Sequence, residues 1–501
     1  MNLKILHTKD LAWKLRMFSL QGFLLLTGVC SAQKSVNTMI EMTGMAGKGD
    51  YAPLWLTANR DGISTVENNY GFVRGGMRYS NRMSDDWTIK AGMELVVGYD
   101  LERTFMIGEL YGEVKYRCLN LTVGSKKRNP ELRNAMLTSG GLIEGNNARP
   151  VPQIRAGIED YTAVPYTNRW LNIKGHVAYG RFADNEWQRR FAAQGTFYTK
   201  DVLYHSKSLF FKLGRKEKFP VELEVGFIGA AQFGGERYLK GNNVPVDKMP
   251  HEVDDYLRML FGGEGGKKSL GGEQTNALGN HLGSWNFAAT GYIDNWKVRG
   301  YYEHMFEDGS GMFLGYGAWK DGLLGVELTF PKKGWIDEVV YEVIGTKRQT
   351  ASIMSEGWTD IVHEVIMGRD NYYNNWVYLA WQQNGMGLGN PLLTSPLYND
   401  NNQIAFMNNR IGGHHVAIAG TPFREWTYRA MVTYTENLGT YFTPFDSRRC
   451  EWYGMMEIGY EPIALKGWKF TVSGAADRGS LLGNNVGMML SVKRCGILNF
   501  K

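Results

Sequence analysis

Cysteine is scarce in this chain. Of four among 501 residues, one lies in the leader-like first 32, and Cys118, Cys450 and Cys495 are an odd number without metal-ligand spacing. A disulfide framework and a cysteine-bound metal are therefore excluded. Long apolar runs are missing too: past the leader none approaches the about 20 residues that a spanning helix needs, which excludes a helical membrane protein. Charge of one sign is also lacking. The formal net charge is +6, and losing the leader's four basic residues and one acid leaves about +3, without the clustered basic face of a nucleic-acid binder.

Catalytic motifs are missing as well. No GxSxG occurs. Residues 262–269, GGEGGKKS, place Phe261 where a phosphate loop needs its first glycine, and Met367 stands where the second histidine of a zinc-protease motif would follow His363-Glu364. His414 and His415 are neighbours whose side chains leave a strand on opposite faces, so they cannot share an ion. No metal, cofactor or enzymatic activity is expected. The one nucleophile open to nomination is Ser206 beside His205, read first as ordinary polar residues of a strand.

What the chain does have is alternation. In Trp87–Tyr99, WTIKAGMELVVGY, one parity carries Trp87, Ile89, Met93, Leu95, Val97 and Tyr99, and the other carries Thr88, Lys90 and Glu94. That is a strand, apolar on one side and ended by amphipathic rings, as a hydrocarbon band between two interfaces requires. The pattern recurs at 71–80, 109–117, 119–124, 153–161, 170–181, 202–213, 221–233, 285–293, 296–306, 313–319, 324–330, 339–345, 376–381, 415–419, 426–434, 452–460, 468–476 and 486–494. Many copies open on tryptophan: Trp87, Trp170, Trp296, Trp376, Trp426, Trp452 and Trp468. Glycine at 62 and aromatics at 13%, with a mean hydropathy of −0.33, suit an antiparallel transmembrane β-barrel of roughly 16–20 strands, about 18.

The expected organisation is a signal peptide over 1–32, with Lys4, Lys9, Lys14 and Arg16 before an apolar run and Ala32 at the cut. An irregular plug or cap follows over 33–69, and the barrel occupies 70–501. Residues 250–261 read as one short loop helix, with Val253, Tyr256, Leu257, Leu260 and Phe261 on a face, Asp254 and Asp255 in the first turn, and Gly262-Gly263 as the stop. Long segments at 241–283, 350–375 and 382–414 are expected together on the extracellular side. Charges of both signs on the inner parity, among them Glu109, Glu113, Lys115, Arg155, Glu159, Arg299 and Glu303, read as a lattice of ion pairs that fills the lumen before they read as a solute path.

Residues 137–161, LTSGGLIEGNNARPVPQIRAGIEDY, resemble the Wzi family of capsule-assembly outer-membrane proteins through Asn147, Ala148, Arg149, Pro150 and Pro152. APLWLTANRDG at 52–62, NGMGLGNPL at 384–392 and FMNNRIGGHHVAIAG at 406–420 are similar to one branch of that family, so the resemblance spans most of the chain. It implies an 18-stranded outer-membrane barrel with helical additions that acts as a non-enzymatic surface lectin. Its implied partners are capsular or other surface polysaccharide, outer-membrane lipids and the polysaccharide export machinery. The N-terminal stretch carries no helical pattern, so a periplasmic helix bundle is not expected. Two groups of residues are nominated. Trp358, Asn371, Tyr372, Tyr373, Asn374 and Tyr398 are the expected sugar contacts in the loops. Asn147, Arg149, Pro150, Pro152, Arg155 and Glu159 form a stiff structural motif whose prolines deliver Arg149 and Asn147 toward Glu109, Glu113 or Glu159. The alternatives are a solute or saccharide pore, and an outer-membrane hydrolase.

Overall fold

The computed structural model describes residues 34–270, 273, 277–307, 311–312, 319–349, 353–359, 362–366 and 370–500. Its strands close into one 18-stranded antiparallel barrel. In chain order these are β1 (Lys34–Lys48), β2 (Asn69–Arg82), β3 (Trp87–Tyr99), β4 (Phe105–Tyr116), β5 (Leu119–Ser125), β6 (Gln153–Ala163), β7 (Leu171–Arg181), β8 (Leu203–Leu213), β9 (Val221–Phe233), β10 (Asn280–Ile293), β11 (Trp296–Phe306), β12 (Gly322–Thr329), β13 (Glu338–Gly345), β14 (Ile411–Phe423), β15 (Trp426–Gly439), β16 (Pro444–Tyr460), β17 (Trp468–Gly479) and β18 (Asn485–Phe500). Each pairs with its sequence neighbours, and β1 closes the ring on β18 with Lys34 opposite Phe500. Closure leaves no strand edge unpaired, as hydrocarbon demands of a backbone.

The alternation divides the wall as expected. On β3, Met93 and Val97 are exposed on the outer face, while Glu94 and Val96 are buried inside. The paired termini of β1 and β18 mark one end of the barrel, where connections are as short as Asp294-Asn295 and Arg424-Glu425. The long segments 126–152, 234–279 and 346–410 all leave from the other end, which short periplasmic turns identify as extracellular. At the periplasmic end Trp87 packs on Tyr116, Trp296 on Phe330 and Trp426 on Tyr460, each pair with ring centroids 4.6 Å apart. This is a girdle at the membrane interface.

Among the described residues three α-helices lie off the barrel wall: α1 (Leu54–Thr57), α2 (Asn185–Phe191) and α3 (Val253–Phe261). In α3, Glu252 and Asp255 form a reciprocal capping box, and Gly262 ends the helix at φ 68°, a left-handed turn that suits glycine. The apolar face read from the sequence is divided in the structure. Asp255, Tyr256 and Met259 pack inward, while Val253, Leu257 and Phe261 are exposed.

Several boundaries differ from the sequence reading. Lys34–Lys48, assigned there to a plug or cap, is β1. Methionine stands on both of its faces, Met39 and Met45 inward and Met42 outward, so no apolar stripe marks it. Only the remainder of that segment, 49–68, lies inside the barrel. Residues 376–381 are not a wall strand but part of an inserted segment, and Trp376 leaves the girdle with them. Trp452 sits within β16 and not at its start, because the strand extends back to Pro444 through charged residues that mask its alternation. The proposed strand at 313–319 falls almost wholly outside the described residues, as does the leader.

An arginine at the midplane of the lipid face should cost about 2–4 kcal/mol. Met93→Arg is therefore expected to lower stability by that amount in urea titrations of the vesicle-inserted barrel. Lys90→Arg on the lumen face of the same strand should leave the midpoint within error.

Candidate functional site

The lumen is occupied by three stretches of the chain itself. The first, residues 49–68, enters behind Pro53. Leu54 N donates to Asp477 Oδ2 at 2.9 Å, Trp55 Nε1 donates to Thr433 Oγ1 at 3.1 Å, and Tyr70 Oη donates to Leu56 O at 3.0 Å. The second, residues 126–152, crosses from β5 to β6 through the interior. The third, residues 370–410, carries a compact set of buried rings and amides, with Tyr378, Trp381 and Phe406 among the most buried side chains of the protein.

Charge holds the second stretch to the wall. Lys127 Nζ bonds Glu94 Oε1 at 2.6 Å, Lys126 pairs with Glu113 and reaches Glu159 at 3.3 Å, and Arg133 Nη2 meets Glu303 Oε2 at 2.7 Å with both side chains almost fully buried. Glu303 also accepts from Leu142 N at 2.9 Å. Glu342 accepts from Thr138 Oγ1 at 2.6 Å, Ser139 N at 2.7 Å and Tyr301 Oη at 2.6 Å. Removing a carboxylate from water is tolerated only with partners of this kind. The expected lattice of lumen ion pairs is present, with Arg74 bridging Glu41 at 2.8 Å and Glu94 at 3.6 Å, and Arg299 paired with Glu224.

The three stretches are also tied to one another. Asn147 Nδ2 donates to Gly387 O at 2.9 Å, and its Oδ1 accepts from Asn59 N at 3.2 Å. Tyr373 Oη donates to Leu142 O and accepts from Asn390 N, and Trp381 Nε1 donates to Ile143 O at 2.8 Å. Two glycines permit the approach. A Cβ on Gly62, at φ 63°, would collide with the backbone of Arg149, and one on Gly389 would collide with Tyr373 Oη and Leu142 O.

The nominated sugar contacts are mostly internal. Tyr372, Tyr373 and Tyr398 are 2%, 0% and 8% exposed and offer no ring face to a sugar. Asn374 bonds Phe406 O at 2.9 Å, and Asn371 Oδ1 accepts from Asn409 at 2.6 Å. The Trp358 side chain lies outside the described residues. Of the structural motif Asn147 is fully buried and Glu159 is exposed, and Arg149 pairs with Glu102 of the β3–β4 connection at 3.0 Å and not with Glu109, Glu113 or Glu159. Glu102, in an irregular loop, gave no periodic signal to find it by. Pro150 O accepts from Ser125 Oγ at 2.6 Å, and Pro152 O accepts from Arg181 N at 3.1 Å. Glu159 faces Lys126, and Arg155 lines a cavity of about 300 Å³ between β6–β9 and the second stretch.

Ser206 does not pair with His205, which the strand alternation turns to the outer face of β8. Its neighbour is His176, with Nε2 2.7 Å from Ser206 Oγ and Nδ1 2.7 Å from Ser208 Oγ. A serine stands where a triad needs a carboxylate, and Ser206 is fully buried. His414 and His415 face opposite ways, His414 toward Tyr341 on the outside and His415 onto Leu137 O inside.

Sequence reading missed an aromatic platform on the extracellular surface. Asn375 Oδ1 accepts from Val377 N at 2.8 Å and Tyr378 N at 3.1 Å, an Asx turn that turns Trp376 outward to 62% exposure. Arg237 lies between two rings, 4.6 Å from that of Phe197 and 5.0 Å from that of Trp376, and is fixed by Asp247 Oδ2 at 2.7 Å from its Nε. Phe197 and Arg237 belong to a small three-stranded sheet of Phe197–Lys200, Glu236–Leu239 and Pro245–Lys248. Tryptophan at a strand-like start had suggested a membrane girdle; the turn that follows it decides otherwise.

No family model matches the chain, and no curated protein does. Among solved structures it is similar to Wzi, an Escherichia coli outer-membrane protein involved in group 1 capsule assembly and described as a carbohydrate-binding β-barrel. That match has 13% identity over 91% of this chain and 83% of the other, with a TM-score of 0.54. OccAB4 of Acinetobacter baumannii matches at 8% identity over 93% and 98% of the two chains with a TM-score of 0.47. OccK5 of Pseudomonas aeruginosa matches at 10% over 93% and 98% with a TM-score of 0.46. The likeness to Wzi establishes the fold, an outer-membrane β-barrel.

Asp321, just before β12, ties the third stretch to the wall by accepting from Arg348 N at 3.0 Å and Tyr372 Oη at 3.2 Å. Burial pushes its carboxyl up to about 6. A raised carboxyl stabilises the fold below its unfolded value near 4 and loses that contribution as pH rises through about 6. Stability should therefore fall by up to about 3 kcal/mol between pH 4 and pH 7. Urea midpoints across this range should slope less for Asp321→Asn than for the native chain.

Proposed function

We propose that this barrel binds a surface polysaccharide non-covalently at its extracellular end and helps to retain or assemble it there, as a member of the Wzi family, without conducting solutes and without cleaving the glycan. The observation that carries the reading is the filled lumen. Three stretches hydrogen-bonded to the wall and to one another leave the large interior occupied by protein, an arrangement suited to a binding surface more than to a channel. The binding capacity comes to this chain from the likeness to the carbohydrate-binding barrel, together with the motifs at 52–62, 147–152, 384–392 and 406–420.

The surface that suits the role is the platform of Trp376 and Phe197 around Arg237. An indole face stacks on the C–H side of a pyranose ring, and Arg237, buried beneath and bonded to Asp247 and to Trp376 O, holds the two rings in place. The exposed turn at Asp400-Asn401 adds polar groups at the same end. Tyr372, Tyr373 and Tyr398 then act from beneath as the frame that carries the turn.

Two measurements bear on this. The purified barrel should be silent in planar bilayers, and steady open-channel currents would favour the pore. Trp376→Ala should lower surface-bound polysaccharide severalfold while leaving the amount of heat-modifiable, folded barrel unchanged, and unaltered retention would remove the platform from the binding role.

A further inference from the structure

Helix α3 is not in the lumen with the other inserted segments but on the outside of the barrel. It covers the upper ends of β7, β8 and β9 on their outer faces: Met259 and Tyr256 pack with Tyr179, Leu203, Ala231, Phe233 and Leu278. The row below on each strand is open to lipid, with Val177 on β7, Leu209 and Phe211 on β8, and Leu223 and Val225 on β9 all exposed. The helix is fixed there by polar groups of the same outer wall. Tyr179 Oη donates to Tyr256 O at 2.6 Å, and Lys207 Nζ donates to Met259 O and Leu260 O, the last carbonyls of the helix. A lysine on the outer face of a barrel is costly in hydrocarbon, and a helix C-terminus is a favourable place for its charge.

The opposite face of α3 is apolar and open. Val253, Leu257 and Phe261, four residues apart along one stripe, are 81%, 57% and 80% exposed. Asp254 and Arg258 line the edge of that stripe. The height of the helix follows from strand geometry. Eight residues of β9 separate Leu223, low in the lipid-facing row, from Ala231 beneath the helix. At a rise of 3.3 Å per residue and a tilt near 40° they span about 20 Å of a band about 25 Å tall. The helix therefore sits at the upper border of the hydrocarbon, its stripe continuous with the lipid-facing wall.

We propose that α3 is an interfacial helix, with Val253, Leu257 and Phe261 seated at the boundary of headgroups and acyl chains in the outer leaflet and Asp254 on its aqueous edge. The shape is that of helices that lie in an interface plane, an apolar stripe beside a charged face. An apolar stripe this exposed calls for a covering phase, and the phase next to it along the wall is lipid. The inference rests on the barrel and its orientation and is independent of the polysaccharide reading.

The test uses the full mature barrel with Cys118, Cys450 and Cys495 replaced by serine, carrying Leu257→Cys or Asp254→Cys labelled with an environment-sensitive fluorophore. Each is reconstituted in phosphatidylcholine vesicles with and without doxyl-labelled phosphatidylcholine. At position 257 the expected result is blue-shifted emission, loss of intensity with the doxyl lipid and no loss with aqueous iodide; position 254 should show the reverse. Val253→Cys gives the same reading if Leu257→Cys lowers the folded fraction. Iodide quenching at 257 or 253 equal to that at 254 would overturn the proposal by placing the stripe in water. Self-quenching that grows with the protein-to-lipid ratio, with neither quencher effective, would overturn it in favour of a second copy covering the stripe.

Discussion

The buried carboxylates of Glu303 and Glu342 are the constraint on which the interior depends. Both project from the wall into a space that water would fill in an open barrel, and in a closed one each needs partners for its charge. Arg133 and Leu142 N supply them to Glu303, while Thr138 and Ser139 N supply them to Glu342. These donors all come from the stretch between β5 and β6. That stretch in turn offers Leu142 O and Ile143 O to Tyr373 and Trp381 of the third one. The chain of dependence runs from wall charge to the second stretch, then to the third, and finally to the turn that presents Trp376. Removing one member of a buried pair leaves a charge whose cost is a few kcal/mol, so the fill is cooperative in a way that loops lying over an open mouth are not.

The wall was legible because a lipid-facing strand obeys a period of two over most of its lipid-facing length, β4 switching parity at the bulge of Gly108-Glu109. Trp87–Tyr99, Val221–Phe233 and Trp296–Phe306 were bounded to the residue. The reading weakened where the strand leaves hydrocarbon. β16 continues eight residues above Trp452 through Asp446, Arg448 and Arg449, where neither face must be apolar, and β1 carries methionine on both of its faces. The leader and most of 313–319 fall outside the described residues, so the structure bears on neither.

The interior was legible only in kind. Mixed charge on the inner parity pointed to an ion-pair lattice, and that lattice exists, but partners such as Glu102 for Arg149 are fixed by where a loop turns back into the barrel. No periodicity encodes that. Aromatic and asparagine-rich stretches were natural candidates for a sugar surface, yet Tyr372 and Tyr373 serve as internal struts while Trp376, three residues on, is the exposed ring. The difference is the Asx turn at Asn375, a local device that composition does not separate from its neighbours. Helix α3 shows the same limit: its first-turn acids and glycine stop were readable, but the side that meets the barrel packs on Tyr179, Leu203 and Phe233, distant in sequence.

The occupied lumen is the central claim, and hydrogen exchange of the vesicle-inserted barrel, followed by mass spectrometry, tests it most directly. Peptides spanning 137–149 and 372–396 should exchange as slowly as those of β3 and β11, since their amides are bonded inside the wall. Exchange of those peptides at the rate of the exposed turn at 294–295 would mean that the stretches lie outside the lumen, and would contradict the filled barrel.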